Sequence, residues 1–242
     1  MVIISTEKET IIIDEIMQQI VSKVFTYGER LPSENILAEK YNVPRMTARN
    51  ALTKLEERGF IYSKQGKGRF LKEQAIQIQL SLTAGTSFTE KMKALGYELE
   101  TRTIDCEQIP YDEHTYHVLE TKKSDAIYKI GRLRLIDGEP IAIHYSFVSA
   151  KTIPSITEDC FEIQSMFAYY RKLGYGEFDS RKSLLSITFP TAGEQQLLSC
   201  KSMVPLIMVE SDCVDRKTGK VLEYTKVLYR SDKFKYDITM NS

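Results

Sequence analysis

Residues 29–71 read ERLPSENILAEKYNVPRMTARNALTKLEERGFIYSKQGKGRFL, and the order of apolar, basic and turn-forming residues in this stretch decides the fold of the N-terminal third. Pro32 and Ser33 open a helix carrying Ile36, Leu37, Ala38 and Tyr41, with Ser33 placed as its N-cap. Asn42 and Val43 form a tight turn, where asparagine tolerates a left-handed backbone. Pro44 then starts a helix at the one position where its missing N–H costs nothing. Ala48, Ala51, Leu52 and Leu55 give that helix an apolar face, while Arg45, Met46, Thr47, Arg49 and Asn50 lie off it and Gly59 ends it. Two helices across a short turn, the second polar and basic, form the arrangement that enters a DNA major groove. Phe60 to Ser63 and Arg69 to Leu71 are placed to pair as a hairpin around Lys64-Gln65-Gly66-Lys67-Gly68. Lys64, Lys67 and Arg69 surround its tip with positive charge, which suits a minor groove or flanking phosphates.

Upstream, Ile12, Ile16, Ile20 and Val24 recur at helical spacing between Thr10 and Phe25, and Tyr27-Gly28 ends that helix. Residues 40–72 hold nine basic groups against two acidic ones, a local +7 in a chain of zero formal net charge, so the other segments carry −7. Such polarity suits a head that meets phosphates and a body that does not. The plainer alternative is that the arginines only solvate a helix surface. With 242 residues, 42% hydrophobic and 27% charged, the chain can build two modest domains with real cores. No stretch approaches the roughly 20 apolar residues that span a bilayer. MVIISTEKETIII is interrupted by acidic residues and precedes no small-residue cleavage site, so the reading is a cytoplasmic protein with no membrane partner. Cys106, Cys160, Cys200 and Cys213 lack metal-ligand spacing and are expected as buried, reduced thiols. His114 and His117 can share a helix face, but three histidines do not make a histidine-rich site; no metal and no cofactor are expected.

Beyond Lys72, Ile76, Ile78, Leu80 and Leu82 alternate with polar residues, a strand signal. The expected organisation is a head at 1–72, a linker at 73–79 and a body at 80–242. In the body a helix runs from Ser87 to Leu95, and strands follow at 97–106, 126–136 and 141–148, the last two joined by an Asp137-Gly138 hairpin turn. A helix at 162–173 stops at Gly174, a strand covers 180–189, and Thr191 with Glu194 forms a capping box for a helix down to Cys200. Strands at 205–215 and 221–230 flank Lys217-Thr218-Gly219, and a short strand starts at 234. Strand pairs with short turns predict an α+β class with an antiparallel sheet. Arg132 and Arg134 alternate on one strand, so both point to one face and suit a phosphate or carboxylate. Gly85-Thr86-Ser87 opens a helix whose free N–H groups also attract anions. The alternative is that both arginines pair with carboxylates across the sheet. No Ser/His/Asp set or metal motif is placed for catalysis, so no enzyme is expected.

These residues carry a resemblance to a known family. Residues 29–71 closely resemble the DNA-binding signature of GntR-type regulators. GTSFTEKMKALGY, IGRLRLIDGEPIAIHYSFV, SMFAYYRKLGY and GKVLEYTKVLYRSDKFKYDI resemble, in order and spacing, the UTRA ligand-binding module with its chorismate-lyase-like fold. Together they resemble the HutC-like branch of GntR regulators. The resemblance implies a winged helix-turn-helix head and a homodimer joined through strands of the body. It also implies a pseudo-palindromic operator DNA and a repressor released by a small anionic effector. In the head it implies base or phosphate contacts from Arg45 and Arg49, and backbone contacts from Ser33 and Thr47. Glu34 would orient an arginine and Gly66 would sit at the wing tip; Met46, Asn50, Lys64, Lys67 and Arg69 complete the expected DNA-binding set. In the body it implies a sugar phosphate held by Arg132, Arg134 and the helix-opening Thr86, Ser87 and Phe88. His144, Ser165, Phe167, Glu223 and Tyr229 would line the rest.

The chain also departs from the family. Pro44 stands where serine is usual, a glycine common near Lys23 is missing, His144 replaces a common carboxylate and Phe167 a common tyrosine. Losing that carboxylate should change which ligand fits. His144 can hydrogen-bond with a charge that varies near neutral pH, or it is a satisfied sheet residue. A non-phosphorylated carboxylate or amino-acid-like ligand stays open. So do a lyase-like enzyme, because fold does not carry function, and a DNA-binding protein without a ligand.

Overall fold

The computed structural model describes residues 2–72, 78–81 and 86–237. The chain forms two compact units, one of residues 1–77 with 189–195 and 200–204, the other of 78–188, 196–199 and 205–242. Residues 73–77 of the expected linker and Gly85 of the helix-opening loop lie outside the described residues.

In the first unit α1 (Val2–Val21), α2 (Glu34–Tyr41) and α3 (Arg45–Glu57) precede an antiparallel hairpin of β1 (Ile61–Lys64) and β2 (Gly68–Leu71). Ile12 and Ile16 of α1, Leu37 of α2, and Ala48, Ala51, Leu52 and Leu55 of α3 share one buried core with Ile61 and Leu71. Small residues on α3 let its neighbours approach closely, and the longer leucines fill the space between them. The Ser33 hydroxyl accepts from Ile36 N at 3.3 Å, and Asn42 turns left-handed at φ +50° to end α2. Pro44 precedes α3 with no side-chain cap. The first helix ends at Val21, short of the expected Phe25, because Lys23 turns left-handed at φ +55° and turns Val24 out to solvent. This is the place where the resembling family has glycine, the residue that adopts such a φ without a steric penalty.

The second unit holds β3 (Ile78–Ser81), α4 (Phe88–Ala94), β4 (Leu99–Gln108), α5 (Glu113–Val118), β5 (Ile127–Ile136), β6 (Glu139–Ser149), α6 (Ile156–Asp159) and α7 (Met166–Lys172). Then come β7 (Phe178–Asp179), β8 (Ser183–Thr188), α8 (Ala192–Leu198, of which residues 192–195 group with the first unit), β9 (Leu206–Asp215), β10 (Val221–Arg230) and β11 (Phe234–Asp237). Seven strands form an antiparallel sheet in the order β4-β5-β6-β10-β9-β7, with β8 also on β9. A separate pair, β11 with β3, is parallel. The β5–β6 hairpin turns through Asp137 and Gly138, both at positive φ as a two-residue turn of this hand requires. Thr191 and Glu194 form the expected capping box of α8.

Three elements differ from the sequence reading. α5 was not assigned; Asp112 caps it through Thr115 N at 2.8 Å, and six residues are too short to display a helical period. The helix expected at 162–173 begins at Met166, where Ser165 caps it, and residues 156–159 form the separate α6. The strand expected at 180–189 is the shorter β8 (Ser183–Thr188), and a separate β7 (Phe178–Asp179) precedes it; between them the Ser180 hydroxyl bonds Asp212 Oδ1 at 3.0 Å.

On the β4 edge the register slips between Thr103 and Asp105. A bulge adds one residue to the count and reverses which positions face a given side. Thr101 and Thr103 lie opposite Arg134 and Arg132, and after the bulge Cys106 lies opposite Ile130, in the same row of alternate positions. Cys106 is disulfide-bonded to Cys160 with Cα atoms 6.1 Å apart. This corrects the expectation of four reduced thiols; Cys200 and Cys213 take no part in a disulfide among the described residues. Gly131 makes the bulge possible, since a Cβ there would lie 2.6 Å from Asp105 Oδ1.

Candidate functional site

In the first unit α3 presents Arg45, Met46, Arg49 and Asn50 to solvent. Glu34, the first residue of α2, gathers three arginines: its carboxylate accepts from Arg45 Nε at 2.9 Å and Arg69 Nη1 at 3.2 Å and lies 3.9 Å from Arg49 Nε. The groove between the helices and the hairpin is lined by Ser33, Glu34, Arg45, Lys64, Gly66 and Arg69. Gly66, at φ +71°, lets the hairpin tip turn, with Lys64 and Lys67 exposed beside it.

Two head residues are not where the sequence reading put them. Thr47 is only 3% exposed, because it lies one turn before Ala51 and rotates onto the buried side of α3. Arg69 does not decorate the tip: it donates to Glu34 and to Thr53 Oγ1 at 3.0 Å and lies 3.6 Å from Glu56. It pairs across the hairpin with Ser63 and leans onto α3, tying the wing to the helices. Arg30 and Asn35 also line the groove, although no periodic pattern marked them.

In the second unit all ten body residues singled out by sequence line one cavity of about 290 Å³. The sheet register brings them together. Arg132 on β5 lies opposite His144 on β6, which lies opposite Val227 on β10. One row along, Arg134 lies opposite Ala142, and Ala142 opposite Tyr229, so the small Ala142 stands between the two larger residues across three strands. Glu223 joins from β10 beyond a second register shift, Thr86, Ser87 and Phe88 from the start of α4, and Ser165 and Phe167 from the start of α7. Ser87 and Glu90 form a full capping box, which fixes the opening of α4.

The cavity is lined by buried charged side chains. Arg132, Arg134, His144 and Glu223 are each under 10% exposed. Arg132 donates to the Ser146 hydroxyl and has Glu223 Oε1 at 4.0 Å. Arg134 donates to Thr101 Oγ1 and to Gln164 O at 2.9 Å, and its guanidinium lies 5.9 Å from the centre of the Phe88 ring. The alternative of carboxylate pairing is therefore met, among the described residues, only by Glu223 at the limit of an ion pair. Both arginine Nε atoms, His144 Nε2 and Glu223 Oε2 are buried with no hydrogen-bond partner among the described residues. Burial pushes the Arg132 and Arg134 pKa values down, and for Arg134 the charge of Arg132 adds to it. Burial, then the two guanidiniums, hold His144 well below its ordinary value. Burial raises the Glu223 carboxyl, against the pull of Arg132. Two desolvated cations beside one carboxylate leave a positive site with unused donors, which an incoming anion would satisfy.

Several lining residues escaped the sequence reading. Lys91 lines the cavity one turn after Phe88 and could have been found from that helical spacing; burial lowers its pKa. Ser183 and Ser211 lie opposite one another in the β8–β9 pairing, which no local signal announces. His114 and His117 line a different cavity of about 330 Å³ with Tyr224 and Arg181. Among the described residues no group of three or more metal-ligating side chains occurs, and no helix is long and apolar enough to cross a membrane.

Residues 94–235 match the UTRA domain family, and residues 9–71 match the bacterial regulatory proteins of the gntR family. The HTH-type transcriptional repressor NagR of Bacillus subtilis (strain 168) is 28% identical over 206 residues, covering 85% of this chain and 83% of that protein. The mannosyl-D-glycerate transport/metabolism system repressor MngR of Escherichia coli (strain K12) is 25% identical over 229 residues, 94% of this chain and 93% of that protein. The crystal structure of PhnF from Mycobacterium smegmatis shares the fold, with a TM-score of 0.61 at 22% identity over 95% of this chain and 99% of that one.

Proposed function

The chain belongs to the UTRA-domain transcription regulators of the gntR family, not to an enzyme family, and from that premise we propose that it is an effector-released repressor. It acts as a cytoplasmic homodimer whose two heads bind the half-sites of a pseudo-palindromic operator. Arg45 and Arg49 contact bases or phosphates, with Met46 and Asn50 beside them on the exposed face of α3. Lys64 and Lys67 at the hairpin tip reach flanking phosphates or the minor groove. Glu34 orients the arginines, a role its distances of 2.9 Å to Arg45 and 3.9 Å to Arg49 support.

The effector is an anionic metabolite bound in the body cavity, with a sugar phosphate the leading candidate. One observation carries this: Arg132 and Arg134 are buried with unused Nε donors, at a cavity that begins at a capped helix N-terminus. Charge-assisted bonds from two guanidiniums are the strong way to hold a phosphate or carboxylate. The related repressor MngR is named for a mannosyl-D-glycerate transport and metabolism system, which favours a sugar-derived ligand. The unpartnered Glu223 Oε2 keeps a second reading alive: an amino-acid-like ligand would set its ammonium there and its carboxylate on the arginines.

Release follows from geometry. Two heads meet half-sites about one helical turn apart, so a modest reorientation spoils simultaneous contact. The effector needs only to bind one arrangement of the dimer better than the other, and its differential affinity sets the shift. The test is denaturing mass spectrometry of protein purified from its native host, followed by operator-binding assays with the released compound. A phosphorylated sugar that weakens operator binding is expected. A neutral compound that leaves operator binding unchanged would remove the effector reading and leave the DNA-binding one.

A further inference from the structure

Cys106 sits on β4, at the edge of the sheet, and Cys160 closes α6; a disulfide joins them across 54 residues of chain. From Cys160 the chain runs straight into the cavity wall. Phe161 O accepts from Thr103 Oγ1 at 3.0 Å, and Gln164 O accepts from Arg134 Nη1 at 2.9 Å. Ser165 then caps α7 and lines the cavity together with Phe167. Three ties thus hold residues 160–165 against β4 and β5, two of them single hydrogen bonds and one covalent. Cys160 and Met166 both sit in a buried apolar cluster, and between them Ile163 is the one buried residue, so residues 161–165 have little apolar anchorage beyond it. Segments with few buried contacts open locally at low cost unless something pins them.

We propose that the Cys106–Cys160 pair is a thiol-responsive latch on this wall: oxidised, it holds residues 160–165 against Arg134, and reduced, it lets them open. The inference rests on reading this cavity as the effector site, although the latch itself concerns the wall alone. Disulfides in a reducing compartment are in general transient or sensing rather than structural, which fits a regulator better than a permanent brace. The partner is a low-molecular-weight thiol and its disulfide. A thiolate attacks Cys106 Sγ, the more accessible sulfur since Cys160 is nearly fully buried, and forms a mixed disulfide there. Cys160 leaves as a thiolate and takes up a proton. A second small thiol resolves the mixed disulfide, so two electrons enter the protein and one small disulfide leaves. The reverse sequence closes the latch. Cys213 shares the apolar cluster of this pair, and burial raises its thiol pKa, which keeps it a poor nucleophile for scrambling.

The full chain would be equilibrated with excess glutathione disulfide or with dithiothreitol, and hydrogen exchange followed by peptide, with and without inorganic phosphate. Alkylation after denaturation counts the thiols in each sample. Two reactive cysteines are expected in the oxidised protein and four in the reduced one. Exchange at 160–165 should be about tenfold faster after reduction, with α3 unchanged as a control. The double variant Cys106→Ser/Cys160→Ser should show the fast rate in both buffers. Four reactive thiols after oxidation, or equal exchange in both redox states, overturns the latch. Slower exchange with phosphate in the oxidised form links the latch to anion binding. A redox difference that persists while phosphate does nothing in either state leaves the latch standing and removes the anion reading of the cavity.

Discussion

Arg134 and His144 meet at the cavity for opposite electrostatic reasons, and each supports a measurement. Arg134 keeps its guanidinium buried on neutral oxygens, so an anion would be its first full counter-charge. A charge-assisted bond is worth about 1.5–3 kcal/mol, so Arg134→Ala should weaken effector binding by about 10- to 150-fold in calorimetry. Unchanged affinity would move the site elsewhere. His144 is held neutral by burial and by the two guanidiniums. The unfolded chain takes up that proton near 6.5 while the folded chain resists it to lower pH, so stability present above 6.5 is lost as the pH falls below it. Glu223 acts in the opposite sense, because its raised carboxyl pKa makes the fold take up a proton on acidification. His144→Gln should therefore lose less Tm than the wild type between about pH 7 and about pH 5.5. Equal losses would mean that His144 takes up its proton in the fold as readily as in the unfolded chain. At this scale much was legible: chemistry and period-two spacing marked both arginines. Their missing partners were not, because hydrogen bonds to Gln164 O and Thr101 come from segments distant in sequence.

Helix ends are where the first unit is least well stabilised. α3 starts at Pro44 without a side-chain acceptor for its free N–H groups, and α1 runs into Lys23 in a left-handed turn. Pro44→Ser should supply a cap worth about 1 kcal/mol. Lys23→Gly should relieve a steric cost of about 1 kcal/mol at its positive φ. Each is expected to raise the Tm of the full chain by a few degrees in thermal unfolding, and no rise for Lys23→Gly would show that its strain is compensated locally. Elements with strong punctuation were readable in advance, such as the Asp137-Gly138 turn and the Thr191–Glu194 box. Elements whose meaning lies in counting were not. The extra residue in β4 sets Cys106 on the side that meets Cys160, and nothing near Thr103 in the sequence signals an insertion into the ladder. α5 escaped for a similar reason, being shorter than two turns.

For the molecule as a whole, the basic residues 40–72 and the acidic remainder separate the DNA-binding task from the sensing one. Operator affinity should fall steeply with salt, and Lys67→Ala should lower the slope of log K against log salt by about one. An unchanged slope would place Lys67 away from phosphate. β8 pairs with β9 on one side, and no pairing covers its other edge among the described residues. Leu184, Leu185 and Ile187 are exposed on it, Ile187 at 70%. If a second copy adds here, Ile187→Lys should shift the protein to monomer in sedimentation velocity and weaken operator binding with it. A dimer that survives would put the interface on another strand. The charge shift near Lys72 is visible in the sequence, but the grouping of residues 189–195 and 200–204 with the first unit is not, nor is the unpaired edge of β8, since a segment's neighbours cannot be read from its own residues. That open strand also bears on the life of a newly made chain. If a second copy is its mate, then until that copy arrives the edge left unpaired among the described residues offers a ladder with apolar residues on both faces, which accepts an extended segment of another chain. Yield on overexpression should then depend on how fast chains find one another rather than on how stable each one is, so slower synthesis would lose more molecules to chaperones and inclusion bodies if pairing is second order in chain concentration.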